Sequence, residues 1–363
     1  MRRMFTADER RRNRREMFGR RFARQRHRHC LVSRAMDVRR AKEVNPAAKA
    51  TKGVGISPLR FWFLPALLIA SACRGEQKLH PFLLAQSLPI IFAHRGGGGV
   101  SPEETLPTML ATHQRIPEAI IEFDVHRTAD GVVVVSHDAS VNRATDGTGL
   151  IRELTLAQLK LLDAGYCATP NVKNGTDGLG TCHADDSTDY PFRGKGYQIP
   201  TLDEVLAALP SETIISIEIK QAGIEKQVAD RLRASGRLEK MIVGAEFDDM
   251  AMRIRDELPE VAGYLPTNAG KCFALAAKAG VSYAACPVYA VFASPLSAAG
   301  LSLDTRDLID RAHQEGMAVV YWTINDQPTM ARLFKLGADG IYTDYPDQAA
   351  TVLSQLRTTG EVK

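Results

Sequence analysis

The sequence predicts an α/β protein folded as a (β/α)8 TIM barrel, with an inserted loop or small cap region after the early strands. From about residue 88, short apolar runs alternate with amphipathic stretches, a pattern typical of a parallel sheet with helical connections. Charged residues stand at several strands rather than at one point in the chain, which favours a barrel mouth. A doubly wound open sheet is the alternative, but no G-x-G-x-x-G follows the first strand.

Nine runs have the composition of strands. They lie at 88–94, 119–126, 132–137, 213–220, 241–246, 261–266, 281–288, 317–325 and 340–344. Asp130-Gly131 separates the second run from the third, and this dipeptide is typical of a tight hairpin turn. We therefore expect eight barrel strands and one additional hairpin strand.

Amphipathic helices are predicted between most of these runs. The clearest are Ile224 to Ser235, Asp248 to Leu258, Thr305 to Gln314 and Thr329 to Leu336. A glycine closes several of them, as at Gly236, Gly316 and Gly337, where a left-handed residue commonly ends a helix. The barrel is expected to span residues 88–358.

One segment, residues 165–199, interrupts this alternation. It is rich in Gly, Asp, Asn and Thr and has little apolar periodicity. A loop of this length in a compact domain is usually functional. Because it lies between the run ending at His137 and the run carrying Glu218, we expect it to cover the barrel mouth as a lid or small cap.

The basic residues are concentrated at the start of the chain. Residues 1–60 carry 19 Lys and Arg against 5 Asp and Glu, whereas the rest of the chain is acidic. The Arg-rich stretch 10–15 has almost no interleaved aromatic residues and no binding motif, so nucleic acid is not an expected partner. We interpret residues 1–60 as a leader that is either disordered or absent from the mature protein. In the second case, translation would start near Val54.

Residues 61–73 have the features of a secretory signal. The apolar run Phe61 to Ala72 is too short to span a membrane, follows Arg60 and ends in small residues. Cys73 comes directly after it, which resembles a bacterial lipoprotein signal. A buried helix is the alternative. We expect an exported protein, periplasmic or anchored to the membrane by lipid on Cys73, with residues 74–87 as a linker.

Four further cysteines form two sequence-local pairs, which fits an oxidising compartment. Cys167 and Cys182 are expected to form a disulfide that closes the insertion. Cys272 and Cys286 can be bridged, or they can be buried free thiols in apolar segments. The spacing of these residues is not that of a zinc site.

Acidic residues stand within two of the apolar runs. Glu122 and Asp124 are two residues apart in Ile120-Ile121-Glu122-Phe123-Asp124-Val125, so a strand places both on one face. Glu218 and Lys220 have the same spacing in a second strand. Buried carboxylates need a cation, and hard oxygen donors suit Ca²⁺ or Mg²⁺.

Two other apolar runs lead into histidines. His94 and Arg95 follow Ile90 to Ala93, and His137 follows Val132 to Ser136. Histidine can donate or accept a proton near neutral pH. Arg95 and Lys220 supply positive charge suited to phosphate oxygens.

The chain from His94 onward resembles the glycerophosphodiester phosphodiesterase family. The matching stretches are His94-Arg95-Gly96, Pro102-Glu103-Glu104-Thr105, Glu122-Phe123-Asp124-Val125, Thr128-Ala129-Asp130-Gly131, Ser136-His137-Asp138, Ile217-Glu218-Ile219-Lys220, Trp322-Thr323-Ile324-Asn325 and Asp339 to Pro346. Two features depart from the family pattern. Glu104 replaces the usual Asn of P-E-N-T, and four consecutive glycines, Gly96 to Gly99, follow Arg95.

The resemblance implies a (β/α)8 barrel that hydrolyses glycerophosphodiesters to glycerol 3-phosphate and an alcohol with one divalent metal ion, Ca²⁺ or Mg²⁺. It assigns His94 and His137 to catalysis. The expected metal ligands are Glu122, Asp124 and Glu218, and the expected substrate-binding residues are Arg95, Lys220, Glu103 and Trp322.

Two other functions remain open. A lysophospholipase D-like activity on lysophospholipids is the closer alternative, because a lipid-anchored enzyme meets amphiphilic substrates. A non-catalytic phosphate-binding barrel is disfavoured, since both histidines and all three acids are present.

Overall fold

In the computed structural model, which describes residues 87–169, 190–282 and 289–362, seven short strands run parallel to one another. They are β1 Ile90–Ala93, β2 Ile120–Arg127, β4 Ile215–Ile219, β5 Met241–Gly244, β6 Val291–Ser294, β9 Ala318–Tyr321 and β10 Gly340–Thr343. Their order is β5-β4-β2-β1-β10-β9-β6. Residues 262–264 close the ring, because Ala262 bridges to β5 and Tyr264 bridges to β6. The predicted (β/α)8 barrel is confirmed.

Helices connect the strands and cover the barrel. They are α1 Leu106–Arg115, α2 Leu156–Leu159, α3 Leu202–Ala208, α4 Glu225–Ala234, α5 Asp248–Glu257, α6 Thr267–Lys278, α7 Arg306–Gln314, α8 Gln327–Leu336 and α9 Pro346–Thr358. Local sequence sets their ends. Thr201 and Glu204 form a capping box at the start of α3, and Gly337 ends α8 in the left-handed conformation with φ 98°.

Two predicted strands differ from the observed ones. The run 261–266 makes only isolated bridges, because Gly263 weakens a strand and Pro266 cannot donate to a ladder. The strand predicted at 281–288 is observed at Val291–Ser294, beyond Pro287; residues 283–288 lie outside the described part of the chain. A short hairpin that was not predicted follows, β7 Ser297–Ala298 with β8 Leu301–Ser302.

The predicted hairpin after β2 is present and matters for the site. Strand β3, Val133–Val135, pairs antiparallel with β2, with Val135 opposite Val125. Gly131 adopts φ 86° at the turn, which a glycine accommodates without strain. The chain thereby returns along β2, and the Ser136 N–H donates to the Asp124 carbonyl over 2.9 Å. The residues after β3 are brought back to the acidic strand.

Apolar side chains fill the barrel below the mouth. Phe92 stacks on Tyr342 with ring centroids 4.4 Å apart, and both are buried with Ile120 and Val320 in one cluster. A larger apolar layer lies between the strands and the helices. Among the described residues, no helix is both long enough and apolar enough to cross a membrane.

Only the flanks of the insertion are described, since residues 170–189 lie outside the described part of the chain. Tyr197 lies with its hydroxyl 3.4 Å from the Ser101 hydroxyl, in the loop that follows β1 at the barrel mouth. Cys167 and Cys272 are each disulfide-bonded. Cys182, the expected partner of Cys167, and Cys286, for which the sequence left a bridge to Cys272 open, are outside the described residues, as are the leader and Cys73. The cap and the domain limits stay predictions.

Candidate active site

The three predicted metal-binding acids face the inside of the barrel on two neighbouring strands. Asp124 on β2 is in register with Glu218 on β4, and Glu122 is in register with Ser216. Alternation along a strand places Glu122 and Asp124 on the same face. Both are buried, at 4% and 1% exposure. The spacing noted in the sequence therefore places the three carboxylates on one face of two adjacent strands.

Lys220 lies between two of these acids. Its ammonium is 3.3 Å from an Asp124 oxygen and 3.0 Å from a Glu218 oxygen. Burial alone would raise the pKa of Asp124, but Lys220 and the other nearby cations outweigh it and lower that pKa. Burial lowers the pKa of Lys220, and the charges of Asp124 and Glu218 more than reverse this, so the ammonium is retained.

The negative charge of Glu122 is compensated less well by nearby positive charge than that of Asp124. It accepts a hydrogen bond from the Arg95 backbone N–H at 2.8 Å. Burial, followed by the charge of Asp124, raises the pKa of Glu122 to about 8. Burial and Asp124 also raise the pKa of Glu218. The acids hold more potential negative charge than Lys220 alone neutralises, which is the electrostatic condition for binding a cation.

His94 is held by a carboxylate from the last barrel strand. Its Nδ1 lies 2.7 Å from Asp344 Oδ1, and the other oxygen of Asp344 accepts from the Asn325 amide at 2.6 Å. Burial lowers the pKa of His94, but the hydrogen bond to Asp344 and the charge of Glu122 reverse this, and the pKa is raised. The bond at Nδ1 leaves Nε2 as the ring nitrogen available for proton transfer.

His137 is held by a carboxylate in the same way. Its Nδ1 lies 2.7 Å from Asp138 Oδ1, and Arg143 donates from Nε to Asp138 Oδ2 at 2.7 Å. Burial raises the pKa of Asp138, but the bonds to His137 and Arg143 outweigh it and lower the pKa. Asp138 is therefore an anion that orients the imidazole.

Arg95 and Glu103 form a buried ion pair. Arg95 Nη1 donates to Glu103 Oε2 at 2.9 Å, and Arg143 Nη2 donates to Glu103 Oε1 at 2.6 Å. Both oxygens of Glu103 are thus engaged by arginines. The structure places Glu103 beside the predicted phosphate-binding Arg95, and a direct contact of Glu103 with substrate stays a prediction.

Glu104 occupies the position where the family pattern has Asn. Its backbone is left-handed, with φ 58°, and its Oε1 accepts from the Asp124 N–H at 3.2 Å. The side chain is buried and Oε2 has no hydrogen-bond partner. Burial first, and then the charges of Asp124 and Glu122, raise the pKa of Glu104 well above its usual range.

The buried carboxylates offer donors of the kind that a divalent cation needs. Within residues 87–169, 190–282 and 289–362, no group of three His, Cys, Asp or Glu side chains is arranged around a common point. However, both carboxylate oxygens of Asp124 are buried without a hydrogen bond, and one of them is only ion-paired with Lys220 at 3.3 Å. With Glu122 and Glu218 they form a set of hard oxygen donors, which suits Ca²⁺ or Mg²⁺. The residues fit such an ion chemically.

Aromatic side chains border the mouth. Trp322 follows β9 and is 47% exposed, and Phe247 follows β5 and is 57% exposed. Both come after the carboxyl ends of barrel strands, where the functional loops of this fold lie. Trp322 therefore stands at the carboxyl end of a barrel strand, and its contact with substrate stays a prediction.

Asp138, Arg143 and Asp344 contact predicted site residues, and Asn325 contacts Asp344. None of the four was assigned from the sequence. Asp138, Asn325 and Asp344 stand inside stretches that carried the resemblance, so the motif itself was the available signal. Arg143 lies outside those stretches, and its proximity to Glu103 depends on tertiary structure.

A barrel mouth with two histidine–carboxylate pairs, an arginine, a lysine and buried acids defines a hydrolase of anionic esters. The model of the glycerophosphoryl diester phosphodiesterase family matches residues 94–348. The chain belongs to this family, and it is an enzyme of the phosphoric diester hydrolase class. Members of the family generally use a divalent metal ion.

Individual known proteins are similar to this chain over most of their own length. Bacillus subtilis YhdW is 31% identical over 265 residues, which cover 71% of this chain and 95% of YhdW. Human lysophospholipase D is 25% identical over 281 residues, covering 70% of this chain and 82% of the human protein. An Oleispira antarctica phosphodiesterase, solved in complex with the product sn-glycerol-3-phosphate, has a TM-score of 0.54 at 22% identity and covers 74% of this chain and 97% of its own.

Proposed function

We propose that this protein hydrolyses glycerophosphodiesters to sn-glycerol 3-phosphate and an alcohol, with His94 and His137 as the acid–base pair and a divalent cation at the carboxylates. The observation that carries the proposal is the pairing of each histidine Nδ1 with a carboxylate at 2.7 Å, beside the buried acids. The product bound to the Oleispira antarctica enzyme supports the substrate class.

In this mechanism the histidines move protons. One imidazole removes a proton from the nucleophile, and the other donates a proton to the departing alkoxide. Asp344 and Asp138 keep Nδ1 of each ring hydrogen-bonded, so Nε2 does the transfer. One oriented imidazole is thus available for the proton of the attacking water and the other for the alkoxide, as the P–O bond to water forms and the P–O bond to the alcohol breaks.

Arg95 and Lys220 bind the phosphate oxygens. A phosphodiester is an anion that repels nucleophiles, so positive charge must neutralise it. Glu103 fixes the Arg95 guanidinium, and Asp124 with Glu218 fixes the Lys220 ammonium. Glu122, Asp124 and Glu218 would hold one Ca²⁺ or Mg²⁺, which supplies further charge to polarise the phosphoryl group.

Lysophospholipids are the second candidate substrate. Trp322 and Phe247 each expose an aromatic side chain after the carboxyl end of a barrel strand, and such apolar surface favours a substrate with an acyl chain. The human relative named lysophospholipase D supports this reading. The phosphodiester bond and the cleavage chemistry would be the same for both substrates.

The purified full-length chain should be assayed with glycerophosphocholine, glycerophosphoethanolamine and lysophosphatidylcholine. We expect sn-glycerol 3-phosphate from the first two, loss of activity in EDTA, and recovery with Ca²⁺ or Mg²⁺. Lysophosphatidate as the main product would favour the second candidate. Full activity in a protein free of metal by elemental analysis would contradict the proposed cation.

A further inference from the structure

Arg143 lies between two carboxylates that belong to different loops of the barrel mouth. Its Nε donates to Asp138 Oδ2 at 2.7 Å, and its Nη2 donates to Glu103 Oε1 at 2.6 Å. Glu103 stands in the loop after β1, and Asp138 stands just after β3. One guanidinium thus joins the two loops.

Each of these carboxylates binds Arg143 with one oxygen and a predicted site residue with the other. Asp138 uses its second oxygen to hold His137 Nδ1 at 2.7 Å. Glu103 uses its second oxygen to hold Arg95 Nη1 at 2.9 Å. The result is a continuous chain of four charged hydrogen bonds that runs from an imidazole to a guanidinium, with Arg143 at its centre.

The chain is protected from water at its centre. The side chains of Arg143 and Glu103 are 15% and 4% exposed, so their attraction is screened much less than that of a surface pair. The backbone that carries Arg143 is fixed by the buried residues Val141 and Thr145, since Thr145 donates to the Val141 carbonyl through both its N–H and its hydroxyl. Arg143 is therefore a rigid support for both carboxylates.

Arginine is suited to this position for a chemical reason. Its planar fork presents several N–H donors in fixed directions, whereas a lysine ammonium is a single point charge on a flexible stem. One arginine can hold two carboxylates at once with separate nitrogens. A lysine at residue 143 can hold one of them well.

We propose that Arg143 is the positioning residue that sets His137 and Arg95 relative to each other, through Asp138 and Glu103. This inference rests on the proposed roles of His137 in proton transfer and Arg95 in phosphate binding. Because Asp138 orients the proton-transferring His137, loss of Arg143 lowers kcat. Because Glu103 orients the phosphate-binding Arg95, loss of Arg143 raises KM.

The test compares Arg143→Gln, Arg143→Lys, Asp138→Asn and Glu103→Gln in the full-length enzyme, with Arg152→Gln as the matched control. Arg152 is exposed and lies in the short 3-10 helix Ile151–Glu153, nine residues after Arg143 in the chain. We expect Asp138→Asn to lower kcat and Glu103→Gln to raise KM. Arg143→Gln should do both, by about 10–100-fold in kcat/KM, the usual effect of removing a group that orients a functional histidine.

Two further measurements separate positioning from general loss of structure. The double variant Arg143→Gln with Asp138→Asn should have the kcat of the more damaged single variant, within about threefold, because both act on the same imidazole. NMR of ¹⁵N-labelled histidine should show one tautomer of His137 in the wild type and a mixture in Arg143→Gln. Arg143→Lys should restore only one of the two kinetic effects.

The inference is overturned if folded Arg143→Gln keeps kcat and KM within about twofold of the wild type, if its His137 tautomer is unchanged, or if Arg143→Lys restores both constants. A wild-type enzyme inactive on every phosphodiester would contradict the proposed function instead. In that case the His137 spectrum alone would still decide whether Arg143 positions the ring.

Discussion

His94 Nδ1 lies 2.7 Å from Asp344 Oδ1, although 250 residues separate them in the chain. The contact follows from barrel closure, because β1 pairs with β10 and Ala93 is in register with Thr343. The next residue of each strand is therefore brought to the same place at the mouth. Closing the barrel completes one of the two histidine–carboxylate pairs.

Asp344→Asn is expected to lower kcat by at least about tenfold with little change in KM, because the amide no longer fixes the His94 tautomer. Steady-state kinetics with glycerophosphocholine would measure this. Asp326→Asn is the control: Asp326 caps α8 at the surface, and Asn is an equally good capping residue. Equal kinetics for Asp344→Asn and the wild type would show that Asp344 does not orient the catalytic ring.

His94→Gln and His137→Gln are each expected to lower kcat by about 10²–10⁴-fold while the fold is retained, since each removes a proton-transfer group at the rim. Circular dichroism would verify folding, and kcat would be measured for both. His113→Gln serves as the control, because His113 contacts Thr213 ahead of β4, at the other end of the barrel. Near-normal turnover in either site variant would refute the acid–base assignment.

Strand periodicity was sufficient to predict part of the site. Glu122 and Asp124 share a face because they are two residues apart, and this requires no knowledge of the rest of the fold. The position of His137 required the β2–β3 hairpin, which the Asp130-Gly131 turn indicated.

The residues that hold the predicted site residues in place could not be predicted from local sequence patterns. Asp344 reaches His94 only because β1 and β10 are neighbours, and Arg143 reaches Glu103 only because two mouth loops meet. The strand at 261–266 was overestimated, since its apolar composition did not reveal that Gly263 and Pro266 limit it to isolated bridges.

His313 is expected to make stability depend on pH. Its Nε2 lies 2.7 Å from Asp339 Oδ2, and this hydrogen bond, opposed by burial, raises the pKa of His313 above 6.5. A raised folded-state pKa gives stability that is fully present below the unfolded-state pKa and lost as pH rises through the folded-state pKa.

Urea unfolding of the wild type and His313→Gln at pH 5.5 and 8.5 would measure this effect. The wild-type advantage should be larger at pH 5.5, by less than about 1 kcal/mol because the ring is partly exposed. An advantage that grows at pH 8.5 would contradict the sign.

We propose that the chain is exported, cleaved before Cys73 and anchored by lipid on that cysteine. The run Phe61 to Ala72 is short and ends in small residues, and Arg74-Gly75-Glu76 begins a polar linker. Two or three acyl chains at about 0.8 kcal/mol per buried CH₂ bind a membrane firmly. Cys73→Ala should remove the lipid and either release the protein or leave it uncleaved, as mass spectrometry of cell fractions would detect. A soluble cytoplasmic protein with its N-terminus before Phe61 would contradict export.

Glu104→Gln is expected to raise the free energy of unfolding by about 1 kcal/mol, because the amide is neutral without the proton that Glu104 must take up when it is buried beside Asp124, and because an N–H donor replaces an unpartnered oxygen. The amide keeps the acceptor for the Asp124 N–H. Urea unfolding at pH 7 in EDTA would measure it, since a bound cation would instead favour the carboxylate. Glu118→Gln, at an exposed residue, should change stability by less than about 0.5 kcal/mol. A loss of stability in Glu104→Gln without metal would mean that the ionised Glu104 stabilises the site.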